Sequence, residues 1–243
     1  MGILNFAKRN FKEIIRDPLS IIFAIILPLF LLFIFQQIKI PNDTYNLENF
    51  TPGIMIFSFS FITLFSSTLI AKDRQTSLLI RLGVSPMKPI EYILGYMISF
   101  IPVILIQDIL LFVLAIILGF SFSVNIIWTI LVSVIIAILF LGIGILIGSL
   151  VSDKAASGIS SIIVQLVCFT SGIYFPKELL GNTYSKICEI LPFDSALVII
   201  KGILNNNYET IKIQNIIVFC AYTIAFIILS AVIFKRKMIS DNK

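Results

Sequence analysis

Histidine is absent from all 243 residues, and charge is absent from most of the chain's length. Without histidine there is no Ser-His-Asp relay, no imidazole acid–base pair and no His-Glu-x-x-His zinc helix. Cysteine is scarce. Cys168, Cys188 and Cys220 have neither metal-ligand nor Cys-x-x-Cys spacing and read as small packing hydrophobes. None of the 12 glycines stands before a Lys-Ser or Lys-Thr pair, so a G-x-x-x-x-G-K-[ST] phosphate loop is missing too. Charged residues make up 13% of the chain, and stretches 18–38, 49–71, 92–107, 109–152, 155–176 and 213–234 carry none. A soluble core of this size does not tolerate such runs.

What is present is apolar, at 58% of residues, with a mean hydropathy of +1.06. A bilayer core of about 30 Å takes about 20 apolar helical residues. The runs therefore predict an all-α membrane protein, a single domain over 1–243 with six spans near 19–38, 52–71, 91–118, 126–150, 155–173 and 212–234. The net charge of +5 would suggest nucleic acid in a soluble chain. Here its placement follows the positive-inside rule instead. Of the 18 basic residues, 13 fall before the first span, in alternate gaps or after the last span. That side is assigned to the cytoplasm, with both termini on it and the protein in the cell membrane. The charged first 16 residues and the span-length run that follows do not resemble a cleavable signal.

Residues 3–16, within an elbow segment 1–17, predict an amphipathic helix lying in the membrane interface. Ile3, Leu4, Ala7, Phe11, Ile14 and Ile15 share about a third of its circumference, opposite Lys8, Arg9, Lys12, Glu13 and Arg16. It is either a topogenic anchor or an elbow, with Lys8, Arg9, Phe11 and Lys12 placed to meet a partner. Asp17-Pro18 ends it and opens the first span, which Pro28 interrupts. The second span is rich in hydroxyls, and Gly144 and Gly148 in the fourth make a small-xxx-small seam. Asp108 is the lone ionisable residue inside a predicted span, next to Gln107 in the third. It either has a structural role, hydrogen-bonded with Gln107, or lines a path with Pro28 and Gln107 or pairs with Lys177 or Lys201. Residues 174–211, with Pro176, Gly181, Pro192 and Gly202, predict two short external or re-entrant helices near 177–190 and 194–204.

The sizeable inner loop, 72–90, reads KDRQTSLLIRLGVSPMKPI. A polar turn, Asp73–Ser77, precedes Leu78, Leu79, Ile80 and Leu82. Their apolar face has nothing in its own loop to cover it, so it meets either a partner or the headgroups.

Asp73-Arg74-Gln75 … Leu82-Gly83-Val84-Ser85-Pro86, followed by Glu91-Tyr92 and Leu94-Gly95, resembles the loop after the second span of ABC transporter permeases of type 2. Ser171-Gly172-Ile173-Tyr174-Phe175-Pro176, then Leu191-Pro192-Phe193 and Lys201-Gly202, is similar to the external segment of that family. The order of elbow, spans, inner loop and outer helices extends the resemblance over nearly the whole chain, and most closely to small drug-resistance permeases of the daunorubicin type. Ser77 and Ile80 depart from the Gly and Glu that many members carry there.

The resemblance implies a transport subunit that is not itself an enzyme and binds no cofactor. Two copies would form the path, a homodimer by expectation, and two ABC ATPase subunits would carry ATP and Mg and dock beneath. Asp73, Arg74, Gln75, Thr76, Leu79, Arg81 and Leu82 would receive the ATPase stroke, and Gly172, Tyr174, Phe175 and Pro176 would form an external gate. The implied substrate is an amphipathic drug, antibiotic or lipid-like compound moved outward. The alternatives are a permease for lipid-linked polysaccharide and an ATP-independent channel or carrier. A membrane-embedded enzyme would lack an acid–base pair.

Overall fold

A computed structural model describes residues 2–38, 43–76, 87–170 and 181–240. The described residues fold into helices, with no strand among them. Helix α1 is Ile3–Arg16, α2 is Pro18–Ile38 and α3 is Leu47–Gln75. Helix α4 is Pro89–Ile117, α5 is Asn125–Leu150 and α6 is Asp153–Thr170. Two short helices, α7 (Asn182–Ile190) and α8 (Pro192–Leu204), precede α9, Ile213–Ser240. Five of these, α2, α3, α4, α5 and α9, are long and apolar enough to cross a membrane.

The chain passes back and forth between two ends of one bundle. At one end, here the elbow end, lie α1, the start of α2, the C-termini of α3 and α5, and the start of α4. At the far end Gln36 Nε2 donates to the Tyr45 carbonyl at 2.7 Å, and Asn205 Nδ2 reaches the Glu48 carbonyl at 3.4 Å. Tyr184 Oη there donates to the Phe169 carbonyl at 2.8 Å. Asp153 shares an elbow-end cleft with Lys72, so α6 also runs from one end to the other. It is 18 residues long and less apolar than the five.

Helix α3 is the hub. Within the most apolar part of each span, 83% of α3 is buried against 17% of α9. The hydroxyls that mark it in sequence serve this packing: Thr63 Oγ1 donates to the Phe140 carbonyl of α5 at 2.9 Å, and Ser67 meets Ser160 of α6 at 2.7 Å. The glycine seam of α5 lies on the same contact. A Cβ on Gly144 would stand 1.9 Å from Ser66 Oγ and 2.7 Å from the Thr63 carbonyl, and one on Gly148 would stand 2.4 Å from the Ser67 carbonyl. Only a hydrogen at those positions lets the two backbones meet this closely. Phe140 extends the core outward, touching Phe59 of α3 and Phe193 of α8.

The C-terminal end of α3 and the backbone course of α2 differ from what composition predicts. The second span was expected to stop near residue 71, with Lys72–Thr76 as loop. The helix instead continues through Gln75, and Thr76 closes it by donating its N–H to the Lys72 carbonyl at 2.9 Å. Polarity ends the apolar run, but no glycine or proline ends the helix. In the first span Pro28 acts through a widened π turn, Ile22–Ile26, where the Leu27 N–H reaches back to the Ile22 carbonyl. The wider turn makes room for a proline ring that would otherwise crowd the carbonyl four residues earlier.

Candidate functional site

At the elbow end a polar cluster joins helices that are far apart in sequence. Helix α1 forms because its apolar and cationic positions repeat at helical spacing, and it ends where Asp17 turns the chain and caps α2 by accepting from the Leu19 N–H at 3.2 Å. Its buried ridge is Phe6, Ala7, Asn10 and Ile14. Leu4 and Ile15, counted on the same apolar arc, are exposed. The arc is thus shared between a face packed on α4 and a neighbouring face left open.

Phe6 is the anchor of that packing. Its ring meets Tyr92 and Tyr96 of α4 edge-on, with centroids 5.3 and 5.0 Å apart. It sits directly over Gly95, where a Cβ would come within 2.5 Å of the ring. Such aromatic pairs contribute about 1 kcal/mol each beyond their buried area.

The charged contact sits beside this anchor. Arg9 Nη1 and Nη2 donate to the two carboxylate oxygens of Asp73 at 2.7 and 2.9 Å, and Tyr96 Oη donates to Asp73 Oδ2 at 2.7 Å. Asp73 is 1% exposed on the last turn of α3. A carboxylate near a helix C-terminus is unfavourable to the helix dipole, and burial adds a desolvation penalty. A two-pronged guanidinium and a phenol offset both. Glu13 pairs with Arg9 one turn along α1 and lies 3.5 Å from Lys72 Nζ. Burial pulls the Arg9 pKa down, but its hydrogen bond and charge interaction with Asp73, aided by Glu13, raise it above its ordinary value overall. The guanidinium stays charged at every working pH.

Arg74 turns the other way. Its Nη1 donates to the Gly148 carbonyl at 3.1 Å and reaches the Val151 carbonyl at 3.4 Å. It thereby caps the C-terminus of α5, where four carbonyls otherwise lack partners. Neighbouring residues Asp73 and Arg74 therefore fasten α3 to α1 on one side and to α5 on the other. Gln75 and Thr76 are exposed beyond them, as are Lys8 and Lys12 on α1. Leu79, Arg81 and Leu82 of the inner loop, and Gly172, Tyr174, Phe175 and Pro176 of the outer segment, lie outside the described residues. So does Lys177.

Pro28, Gln107 and Asp108 are buried within the packing. Gln107 Nε2 donates to Ser58 Oγ of α3, and Ser133 of α5 hydrogen-bonds Asp108. Of the alternatives for Asp108, a bond to Gln107 is not the one made: its partner is Ser133, and Gln107 turns to Ser58. Adjacent helical residues point about 100° apart, so the two side chains serve different neighbours.

Tyr96 and Phe6 are members of this cluster that the sequence alone does not single out, and Glu13 stands out there only as part of the charged face of α1. A signal was available for Tyr96: it follows Tyr92 by one helical turn just inside the third span, on the same face.

The model of the ABC-2 type transporter family matches residues 2–205. No curated protein matches the chain.

Proposed function

The chain belongs to the ABC-2 type transporter family, a family of multi-pass membrane permeases, and from that premise we propose that it is the transport subunit of an ATP-driven exporter. Two identical copies enclose the path, and two separate ABC ATPase subunits supply ATP hydrolysis. The whole chain is one membrane domain in the cell membrane, with elbow 1–17 and loop 72–90 on the cytoplasmic side and residues 174–211 outside. Helix α6 is the sixth crossing: 18 helical residues span about 27 Å at ~1.5 Å each, close to the thickness of the hydrocarbon core.

The single observation that carries this reading is the two-pronged Arg9–Asp73 pair, with Tyr96 on the same carboxylate. It rigidly links the elbow, the root of the inner loop and the third span at the end where an ATPase would dock. A push on the loop then reaches α1 and α4 through Asp73 and α5 through Arg74. Leu79, Arg81 and Leu82 supply the surface that receives the push, and Gly172 to Pro176 the gate at the opposite end.

The outer face of α6 supports the path between copies. Helices α4, α5 and α9 expose aliphatic residues such as Ile109, Leu131 and Ile224. Helix α6 exposes Ser157, Gly158, Ser161 and Gln165 among its apolar residues. Lipid does not reward those groups; a second copy or a hydrated path does. The same face carries one ring, Phe169, which favours an amphipathic drug-like or lipid-like cargo over a sugar polymer that stacks on rows of aromatics.

The test is reconstitution with the ATPase subunit in vesicles and a screen of amphipathic compounds for ATPase stimulation and outward transport. Nucleotide-dependent transport that collapses on Arg9→Gln, with ATPase binding retained, supports the reading. Transport without any ATPase subunit sinks it in favour of a carrier.

A further inference from the structure

Two cavities at the elbow end share a wall and differ in chemistry. The first, of about 210 Å³, lies between α1, the π turn of α2, α3 and α4, and is lined by residues such as Phe11, Ile15, Ala24, Ile62, Phe100 and Ile106. Its one polar lining group, Ser20, donates its hydroxyl to Asp17. A space lined this way stays dry and accepts apolar matter. The second, a cleft of about 430 Å³, is lined by Glu13, Arg16, Asp17, Thr68, Lys72 and Asp153. Ile14, Ser20 and Phe65 belong to both.

The charges in the cleft are unevenly engaged. Glu13 is occupied by Arg9 and Lys72, and Asp17 caps α2. Arg16 and Asp153 have no partner among the described residues, although they carry opposite signs and line the same space. A ligand that fits must be apolar at one end and bear both a cation and an anion at the other. Ile15 and Ile106, both about half exposed, place the mouth of the apolar cavity on the bundle's lipid-facing surface.

We propose that these joined cavities form a binding site for one phospholipid with a zwitterionic amine headgroup. One acyl chain fills the apolar cavity beneath α1, the phosphate meets Arg16, and the ammonium meets Asp153. The lipid thereby bridges the elbow and the start of α6, two elements that the protein itself leaves apart across the cleft. This site is independent of the transport reading, since nothing in it depends on nucleotide or cargo.

Native mass spectrometry of the purified full chain tests it, with phosphatidylethanolamine and phosphatidylglycerol of identical acyl chains as probes. The expected result is preferential retention of the ethanolamine lipid. Arg16→Gln and Asp153→Asn should each lower that retention about fivefold, the equivalent of one partly exposed ion pair. Ile106→Trp and Ile15→Trp block the apolar cavity from the lipid side at exposed positions, so they leave folding intact, and each should lower retention about tenfold. Equal retention of the glycerol lipid overturns the headgroup assignment. Retention unchanged by both tryptophan variants overturns the site.

Discussion

Arg9 and Asp73, 64 residues apart in sequence, hold each other through two parallel hydrogen bonds of 2.7 and 2.9 Å. One belongs to a surface-lying helix with cations on its open side, the other to the last turn of the most buried helix in the bundle. The pair ties α1 to the last turn of α3, so that the two helices form one mechanical unit. Removing Arg9 leaves a carboxylate at 1% exposure without its counter-charge, which costs about 3 kcal/mol. Arg9→Ala should therefore lower the thermal midpoint in detergent and reduce transport per ATP. The charge-reversed double variant Arg9→Asp with Asp73→Arg should recover part of both. Single variants that melt and transport like the parent would show that the pair is ornamental.

Tyr96→Phe isolates the second prong on Asp73. The ring stays, so its edge contact with Phe6 at 5.0 Å survives, and only the 2.7 Å hydrogen bond is lost. A hydrogen bond to a charged group contributes about 2 kcal/mol. The expected outcome is a smaller loss of stability than for Arg9→Ala, and a sub-additive loss in the double variant, because the two share one carboxylate. Full additivity in a double-mutant cycle would break that account.

The glycine seam predicts a graded series. Gly144→Ala places a methyl 1.9 Å from Ser66 Oγ and 2.7 Å from the Thr63 carbonyl, and the second contact is backbone that cannot rotate away. A cost of about 2 kcal/mol follows from overpacking, and Ser66→Ala in the same chain should relieve only part of it. Gly158 of α6, with no atom within 4 Å of a built Cβ, should accept alanine without loss of monomer stability. Equal melting curves for both alanine variants would show that α3 and α5 do not meet as described.

The polar outer face of α6 can be located by cross-linking. In a background free of Cys168, Cys188 and Cys220, Ser161→Cys should form a disulfide between two copies in membranes under mild oxidation. Ile224→Cys, on the exposed face of α9, should not. Cross-linking at the α9 position and none on α6 would move the contact between copies to another face.

Arg74→Ala removes the side chain that reaches the Gly148 and Val151 carbonyls. A lost C-terminal cap costs about 1 kcal/mol. Faster hydrogen exchange confined to the amides at the C-terminus of α5, with α1 unaffected, is the expected signature. Loosening of α1 as well would mean that Arg74 and Asp73 act as one unit and not in two directions.

Much of the architecture was legible because lipid imposes simple rules on composition. A charge-free run of about 20 residues becomes a helix, since its backbone groups have no other partners in hydrocarbon. Five helices long and apolar enough to cross a membrane lie over these runs, one of them, α4, with Asp108 inside it. Helix α1 was legible from its helical period, and the short helices α7 and α8 from Pro192 and the charges around it. The end of α3 lies about one turn beyond the change in polarity at Lys72, because polarity alone does not stop a helix.

By itself, the sequence determined that this chain is a helical membrane body, because hydropathy is a local property. Only the tertiary structure decided which polar groups work together. Asp73 and Arg74 read alike as loop charges, yet one is buried against Arg9 and Tyr96 and the other caps α5, because neighbouring residues on a helix face different partners. Asp108 and Gln107 diverge for the same reason. Pairing across dozens of residues depends on which helix faces meet, and that follows from packing at Gly95, Gly144 and Gly148, where a single missing methyl sets how closely two backbones approach.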